Sequence, residues 1–325
     1  MGSEDAEALN LICAGINHSN IKIDVRQLFP LNEEERKNIL EDFIREHKGG
    51  CLFLATCDRC EFFLTSVSRA GGERAVKKAK NYLEDKAMDP REFNEGFKLR
   101  ENFNAAEHLF SIACGLESRK KGEDEVLSQV KKAYNNSVEY GGCDTLLHEL
   151  CSRALRAGKR ARTETDIGCQ QDQDYPSDST SEEVEKIIDD ELKEFFQWRR
   201  ERKAVPLIKA LKRKGEEIKS QELEEGMARL KRLRDGEKRS FEEEEREIIA
   251  EMAGQIVKKL LNDPIVNLKR EMRESDKSEK PVNKVNKSDD NNTKKIGLQG
   301  KLQKKNQTGT QEMVNMLAAL FELDI

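Results

Sequence analysis

The sequence predicts an α+β domain with a mostly antiparallel sheet and packed helices, followed by an all-α helical domain. Two observations predict this order. In the first half, short apolar runs of strand length alternate with segments whose apolar residues recur at helical spacing. In the second half, long apolar stripes recur at helical spacing. A Lys/Asn/Ser-rich stretch at residues 271–310 adds a third expectation, disorder near the C-terminus.

Composition limits the classes of protein that this chain can belong to. Its 325 residues suffice for about two domains, and 37% of them are charged against 6% aromatic, which favours long solvated helices. A net charge of −5 argues against a general nucleic-acid binder. No apolar stretch approaches the membrane-spanning length of about 20 residues, so we expect no membrane partner. Eight cysteines without a secretory leader predict a reducing, cytoplasmic location.

The elements of the first domain, residues 1–168, follow from these patterns. Asn32 with Glu35 forms a capping-box pattern that predicts the start of a helix, continued by Ile39, Leu40 and Phe43. The predicted strands are residues 9–16, 51–55, 62–67 and 97–100. The other predicted helices are residues 75–83, 105–113, 126–134 and 146–157.

The rest of the chain reads as a linker and a helical bundle. Residues 169–181 form a polar linker, and Thr180 with Glu183 predicts a capping box that opens a long helix. Pro206 interrupts or restarts this helix, and Pro264 is predicted to end a later one that starts near Ser240. The predicted segments are the helical domain 182–270, the disordered segment 271–310 and a final helix at 311–325. The stripes are too long to be covered within one chain, so we expect a homodimer.

Cys57 is the candidate nucleophile of the sequence. An apolar strand ends just before it, and Arg59 is expected to favour its thiolate form. Side chains two apart share a strand face, so Arg59 would lie beside Cys57 and Asp58 would point away if the strand continued. The alternatives are a buried structural thiol, or a Cys57-x-x-Cys60 redox pair or half zinc site. The candidates for the remaining zinc ligands are Cys143, His148 and Cys151.

A basic cluster near the end of the first domain has two interpretations. Such a cluster is either a solvated helix face or a site for phosphate contacts. Its members are Arg153, Arg156, Lys159, Arg160 and Arg162.

Four blocks in order carry a resemblance to a known family. Residues 55–61, Ala-Thr-Cys-Asp-Arg-Cys-Glu, resemble the Ser-Thr-Cys-Asn-Arg-Thr-Glu motif of glutamyl-tRNA reductases. Residues 17–26, 108–131 and 158–165 resemble further blocks of the catalytic domain, and residues 182–270 resemble the dimerisation helices. The resemblance implies an NADPH-dependent oxidoreductase that makes glutamate-1-semialdehyde from glutamyl-tRNA, on the route to 5-aminolevulinate and tetrapyrroles.

The resemblance also implies roles for individual residues. Cys57 would attack the aminoacyl ester to give a thioester, and His108 would assist as acid or base. Arg59 would pair with the substrate carboxylate. The full set implied for substrate binding is Thr56, Asp58, Arg59, Ser118, Glu123, Asp124, Glu125 and Gln129.

The region that would bind the dinucleotide in this family has no counterpart here. Only 14 residues lie between Ile167 and Glu182, whereas one βαβ unit needs about 30 residues. None of the 20 glycines forms Gly-x-Gly. We therefore expect no cofactor site on this chain, although the family uses NADPH.

Two classes of function stay open. The chain is either an enzyme that keeps the thiol chemistry or a non-catalytic paralogue acting as a dimerising interaction or regulatory protein. A reductase that has lost its central domain is a third reading. The partners implied are glutamyl-tRNA, a second copy of the chain, a full-length reductase and the downstream aminotransferase.

Overall fold

The computed structural model describes residues 10–21, 24–47, 49–118, 124–168, 178–203, 205–234 and 243–274. The predicted disordered segment and final helix at 271–325 lie outside these ranges, apart from residues 271–274. Two compact units are present, residues 1–196 and 197–325.

The first unit is built on one four-stranded antiparallel sheet, as predicted. Its strands are β1 (Asn10–Asn17), β2 (Cys51–Ala55), β3 (Arg59–Ser66) and β4 (Lys98–Glu101). They are ordered β2-β3-β1-β4, so β1 and β3 are central. The third strand begins three residues before the predicted start at Phe62. This early start leaves only residues 56–58 to connect β2 and β3.

Helices cover both faces of this sheet. The capping box at Asn32 is confirmed: its side chain accepts from Glu35 N at 2.9 Å, and the Glu35 carboxylate accepts from Asn32 N at 2.7 Å. The helices of this unit are α1 (Val25–Leu28), α2 (Glu33–Glu46), α3 (Arg69–Lys86), α4 (Pro90–Gly96), α5 (Phe103–Cys114), α6 (Asp124–Glu139), α7 (Thr145–Glu164) and most of α8 (Asp178–Lys203). A 3-10 turn, Asp166–Gly168, follows α7.

The two faces of the sheet differ in chemistry because strand side chains alternate. One face carries an apolar cluster, in which Ile12, Phe53 and Phe62 pack against residues of α1–α4. The other face carries Cys13 and Glu61, and α5 lies against it. Helices α5 and α7 approach closely at Gly158, where a Cβ would lie 2.5 Å from the carbonyl oxygen of Ala113.

Helix α8 begins earlier than predicted. It starts at Asp178, so Thr180 lies inside the helix and is not its N-cap, which corrects the capping-box prediction. The predicted apolar stripe is confirmed, and its buried members are Val184, Ile187, Ile188, Leu192 and Phe195. The phenyl ring of Phe196 stacks on Phe103 of α5 at 5.5 Å between centroids. This stripe therefore anchors α8 in the first unit.

The second unit contains α9 (Val205–Arg234) and α10 (Glu243–Glu274), which pack against each other. Pro206 is the second residue of α9, where a proline costs no intrahelical hydrogen bond, so the predicted restart is confirmed. The prediction that Pro264 ends a helix is wrong. Pro264 lies inside α10, because a proline removes a single N–H donor and the turns on both sides retain theirs. In the described ranges, no helix is long and apolar enough to cross a bilayer.

Candidate active site

The Cys57 thiol lies in the tight turn between β2 and β3. The backbone N–H of Thr56 donates to Arg59 O at 2.8 Å, and Asp58 N donates to Thr56 Oγ1 at 3.1 Å. The carbonyl of Asp58 accepts from His18 N at 2.7 Å, which ties the turn to the end of β1. Cys57 is half-buried and free. Because residues 56–58 form the turn, the extended geometry that would place Cys57 and Arg59 on one strand face is absent.

A narrow cleft opens beside this turn and gathers most of the predicted site. Its cavity volume is about 10 Å³, room for about one water molecule. Its polar lining consists of Thr56, Cys57, Asp58 and Arg59 from the turn and β3, with Ser118, Glu125 and Gln129 from the segment after α5 and from α6. His108 does not line this cleft. Glu123 lies outside the described residues, and the side chain of Asp124 is likewise not described.

Two polar groups of the cleft lack hydrogen bonds within the described part of the chain. The hydroxyl of Ser118 is buried and unpartnered there, and so is Nη1 of Arg59 as a hydrogen-bond donor. The other arm of the Arg59 guanidinium donates to Glu117 O at 2.6 Å, which fixes its direction. Gln129 donates to Glu125 at 2.9 Å. A buried hydroxyl without a partner is costly, so Ser118 is suited to a polar ligand, whereas Nη1 of Arg59 keeps an ion pair with Glu61 at 3.5 Å.

Glu61 is the centre of a buried charge cluster next to the cleft. His108 Nε2 lies 2.9 and 3.0 Å from its two carboxylate oxygens, and Asn17 Nδ2 donates at 3.4 Å. The guanidinium groups of Arg59 and Arg100 lie 3.5 and 3.8 Å from it. Burial raises the pKa of Glu61, but the charge and hydrogen bond of His108, with both arginines, outweigh it and lower this pKa to about 2.

Two family models match long segments of this chain. A family model described as the N-terminal domain of glutamyl-tRNAGlu reductase matches residues 14–165, and one described as its dimerisation domain matches residues 183–286. The chain belongs to the glutamyl-tRNA reductase family. The first match contains both Cys57 and His108, and the second contains the helices of the second unit.

Individual glutamyl-tRNA reductases match over a shorter span. The protein from Natranaerobius thermophilus is 35% identical over 48% of this chain and 34% of its own length. The protein from Methanopyrus kandleri is 33% identical over 49% of this chain and 35% of its own length. These matches therefore span about a third of each relative. A solved glutamyl-tRNA reductase structure from Methanopyrus kandleri is similar with a TM-score of 0.50 and 18% identity, over 81% of this chain and 98% of that chain, which shows a shared fold.

Glu61 is the residue of this family member that sequence reasoning missed. It occupies the last position of the motif at residues 55–61, but the resemblance gave it no role. One signal was present: a carboxylate directly between the apolar residues Cys60 and Phe62. Glu61 pairs with Gly15 across the sheet, and a Cβ at Gly15 would lie 2.6 Å from Glu61 Cα. The glycine thus permits the close approach of β1 and β3 at this point.

The alternative role for the Cys57-x-x-Cys60 pair finds no support in the geometry. Both thiols are free, and Cys60 is buried in the apolar core on the face away from α5. Burial raises the pKa of the Cys60 thiol above its ordinary range. Cys143, His148 and Cys151 do not form a ligand cluster with this pair in the described ranges.

The basic cluster on α7 makes internal ion pairs in this reductase-family fold. Arg156 donates to Glu191 of α8 through both Nε and Nη2, and Arg160 contacts the same carboxylate at 3.2 Å. Arg153 reaches Glu194 at 2.7 Å. Glu191 is buried, so these pairs join α7 to α8. Arg153, Arg156 and Arg160 therefore pair with acidic side chains of α8, which differs from both a solvated helix face and a site for phosphate contacts.

Proposed function

We propose that this chain carries out the acyl-transfer step of the glutamyl-tRNA reductases, a step of tetrapyrrole biosynthesis. The observation that carries the proposal is the cleft in which the Cys57 thiol meets Arg59 and Ser118. A half-buried thiol beside the guanidinium of Arg59 and the unpartnered hydroxyl of Ser118 suits covalent capture of a polar acyl group. The family assignment supplies the substrate class, an aminoacyl ester on tRNA.

The proposed reaction forms a thioester. The Cys57 thiolate attacks the ester carbonyl carbon of glutamyl-tRNA and forms a C–S bond. The ester C–O bond breaks, and the terminal ribose oxygen of the tRNA leaves and takes up a proton. The thioester is then either hydrolysed, when water attacks its carbonyl, releases glutamate and restores the thiol, or passed to a hydride donor on a separate reductase chain. Arg59 and Ser118 bind the glutamyl carboxylate, and His108, oriented by Glu61, serves as the assisting acid or base.

The residues of this chain do not fit the nicotinamide cofactor of the family. In the described ranges the strands form a single antiparallel sheet, whereas dinucleotide sites lie at parallel βαβ units with a Gly-x-Gly turn. We therefore assign no reduction step to this chain. In the proposal, a reductase on a separate chain or water completes the reaction.

Covalent capture of labelled substrate tests this proposal. With radiolabelled glutamyl-tRNA, acid-quenched wild-type protein should retain label that hydroxylamine releases, as expected of a thioester. Cys57→Ala should retain none, because the nucleophile is removed. Cys60→Ala is the matched control, since its thiol faces the core and its label should persist. Equal label on wild type and Cys57→Ala would refute the proposal.

We also propose that α10 mediates self-association. Four residues spaced four apart are each more than half exposed, although a soluble helix normally buries such a face. These residues, the α10 stripe, are Ile248, Met252, Ile256 and Leu260. The match to a dimerisation domain supports a second copy of this chain as the occupant. A dimer without thioester capture would favour the second candidate function, a non-catalytic interaction protein.

Charges on the α10 stripe should prevent the dimer. Met252→Asp combined with Ile256→Asp should convert a dimeric mass to a monomeric one in light scattering at micromolar concentration, because two carboxylates would be buried without partners. Lys258→Asp, on the opposite side of the helix, should leave the dimeric mass unchanged. A wild-type monomer, or a dimer that survives the double substitution, would contradict the proposal.

A further inference from the structure

Three ligand-bearing side chains meet on the sheet face that α5 covers. The thiol of Cys13, a carboxylate oxygen of Glu61 and an imidazole nitrogen of His108 all lie within 4.8 Å of one another. All three side chains are buried. Cys13 lies outside the cleft at Cys57, and neither the family resemblance nor the proposed reaction uses it.

Three different elements hold this group in place. Cys13 is in β1 and pairs with Phe63, which is two residues from Glu61 on the same face of β3. The imidazole of His108, from α5, stacks on the Phe63 ring at 6.1 Å between centroids. Because two central strands and a packed helix supply the ligands, their spacing depends on the core and not on a loop.

We propose that Cys13, Glu61 and His108 bind one divalent cation of the zinc class. Thiolate, imidazole and carboxylate are the three side-chain ligands that zinc accepts, at about 2.0–2.3 Å. A tetrahedral ion with such bonds places its ligand atoms about 3.3–3.8 Å apart, which lies inside the 4.8 Å limit of the present group, and the His108–Glu61 contact of 2.9 Å lengthens to match. The ion replaces the His108–Glu61 hydrogen bond, and the Cys13 proton passes to solvent. Water takes the fourth position, as at other three-ligand zinc sites.

The charges around the group limit the affinity without excluding the ion. Arg59 and Arg100 both contact Glu61 and oppose a cation. The thiolate of Cys13 and the carboxylate of Glu61 together supply two negative charges, which balance the two positive charges of the ion. Arg100 lies in the edge strand β4, opposite Cys13 of β1, and its side chain is 25% exposed. Movement of Arg100 therefore offers a path from solvent to the thiol.

The consequence for activity rests on the proposed function. A bound cation occupies the His108 imidazole and the Glu61 carboxylate, so the pair can no longer serve thioester chemistry at Cys57. The cation would therefore inhibit acyl transfer. Metal binding itself is measured without substrate, which keeps failure of this inference distinct from failure of the proposed reaction.

Cobalt binding to the full-length, reduced protein tests the site. Co²⁺ substitutes for Zn²⁺ and reports thiolate ligation by a near-ultraviolet charge-transfer band. We expect the wild type to bind one Co²⁺ with this band, and Zn²⁺ to remove the band by competition. Cys13→Ala should lose the band and bind Co²⁺ at least tenfold more weakly. Cys57→Ala should keep the band and the wild-type affinity for Co²⁺. A band that survives Cys13→Ala, or wild type without any band at 100-fold excess metal, overturns the proposal.

A second variant keeps the test decisive if the first variant does not fold. His108→Gln removes a ligand but retains a polar side chain near Glu61, and it should weaken Co²⁺ binding and shift the visible d–d bands. Each variant is compared with wild type by circular dichroism first. If Cys13→Ala is unfolded, the His108→Gln result decides, and unchanged visible bands there count against the site.

Discussion

Replacement of Glu61 by alanine should lower the free energy of unfolding by about 3–5 kcal/mol, the cost of breaking a buried ion pair from one side. The carboxylate is fully buried and contacts His108, Arg59 and Arg100. Its loss removes the carboxylate that is ion-paired with the guanidinium of Arg59, itself 1% exposed. Urea unfolding monitored by circular dichroism measures the change.

The control for this prediction is a carboxylate in the same unit without such partners. Glu95 in α4 is exposed, so Glu95→Ala should change the free energy of unfolding by less than about 0.5 kcal/mol. A loss below about 1 kcal/mol for Glu61→Ala would mean that the cluster relaxes or admits water. In that case Glu61 would not hold His108 in a fixed orientation.

Local patterns predicted most elements of this fold, but not the short helices α1 and α4. The capping box at Asn32 and the apolar run at residues 51–55 each depend on neighbours within a few residues, and both are observed. The prediction that Pro264 ends a helix was wrong, because whether a helix continues past a proline depends on the turns beyond it. The prediction that Thr180 caps α8 was wrong, because residues 178–179, which precede the capping-box pattern, are already helical.

The family motif indicated residues that line the cleft, but it did not indicate the charge cluster. Thr56, Cys57 and Arg59 are close in sequence, so a motif captures them. The role of Glu61 depends on α5, which places the His108 imidazole against the Glu61 carboxylate although the two residues are 47 positions apart in the sequence. It also depends on the register that sets Gly15 opposite Glu61. Such long-range pairing has no periodic signal, and only the charge of Glu61 between the apolar residues Cys60 and Phe62 indicated it.

The same cluster should make the stability of the protein fall in acid. The pKa of Glu61 is lowered from its ordinary value of 4.5 to about 2 in the folded chain. A carboxylate with a lowered pKa stabilises the fold fully above about pH 4.5 and loses that contribution as pH falls toward 2. The difference corresponds to about 3 kcal/mol, because each pH unit is worth about 1.4 kcal/mol.

Comparison of wild type with Glu61→Gln isolates this contribution from the other acids. Glutamine keeps the shape of the side chain but cannot titrate, so the free energies of unfolding of the two proteins should converge as pH falls from 5 toward 2. Glu164, an exposed partner of Arg160, also has a lowered pKa, and Glu164→Gln serves as the control. Its curve should stay nearly parallel to wild type, because screening by solvent weakens an exposed pair. If the Glu61→Gln curve is also parallel to wild type over this range, then Glu61 is not the ionised centre of the cluster.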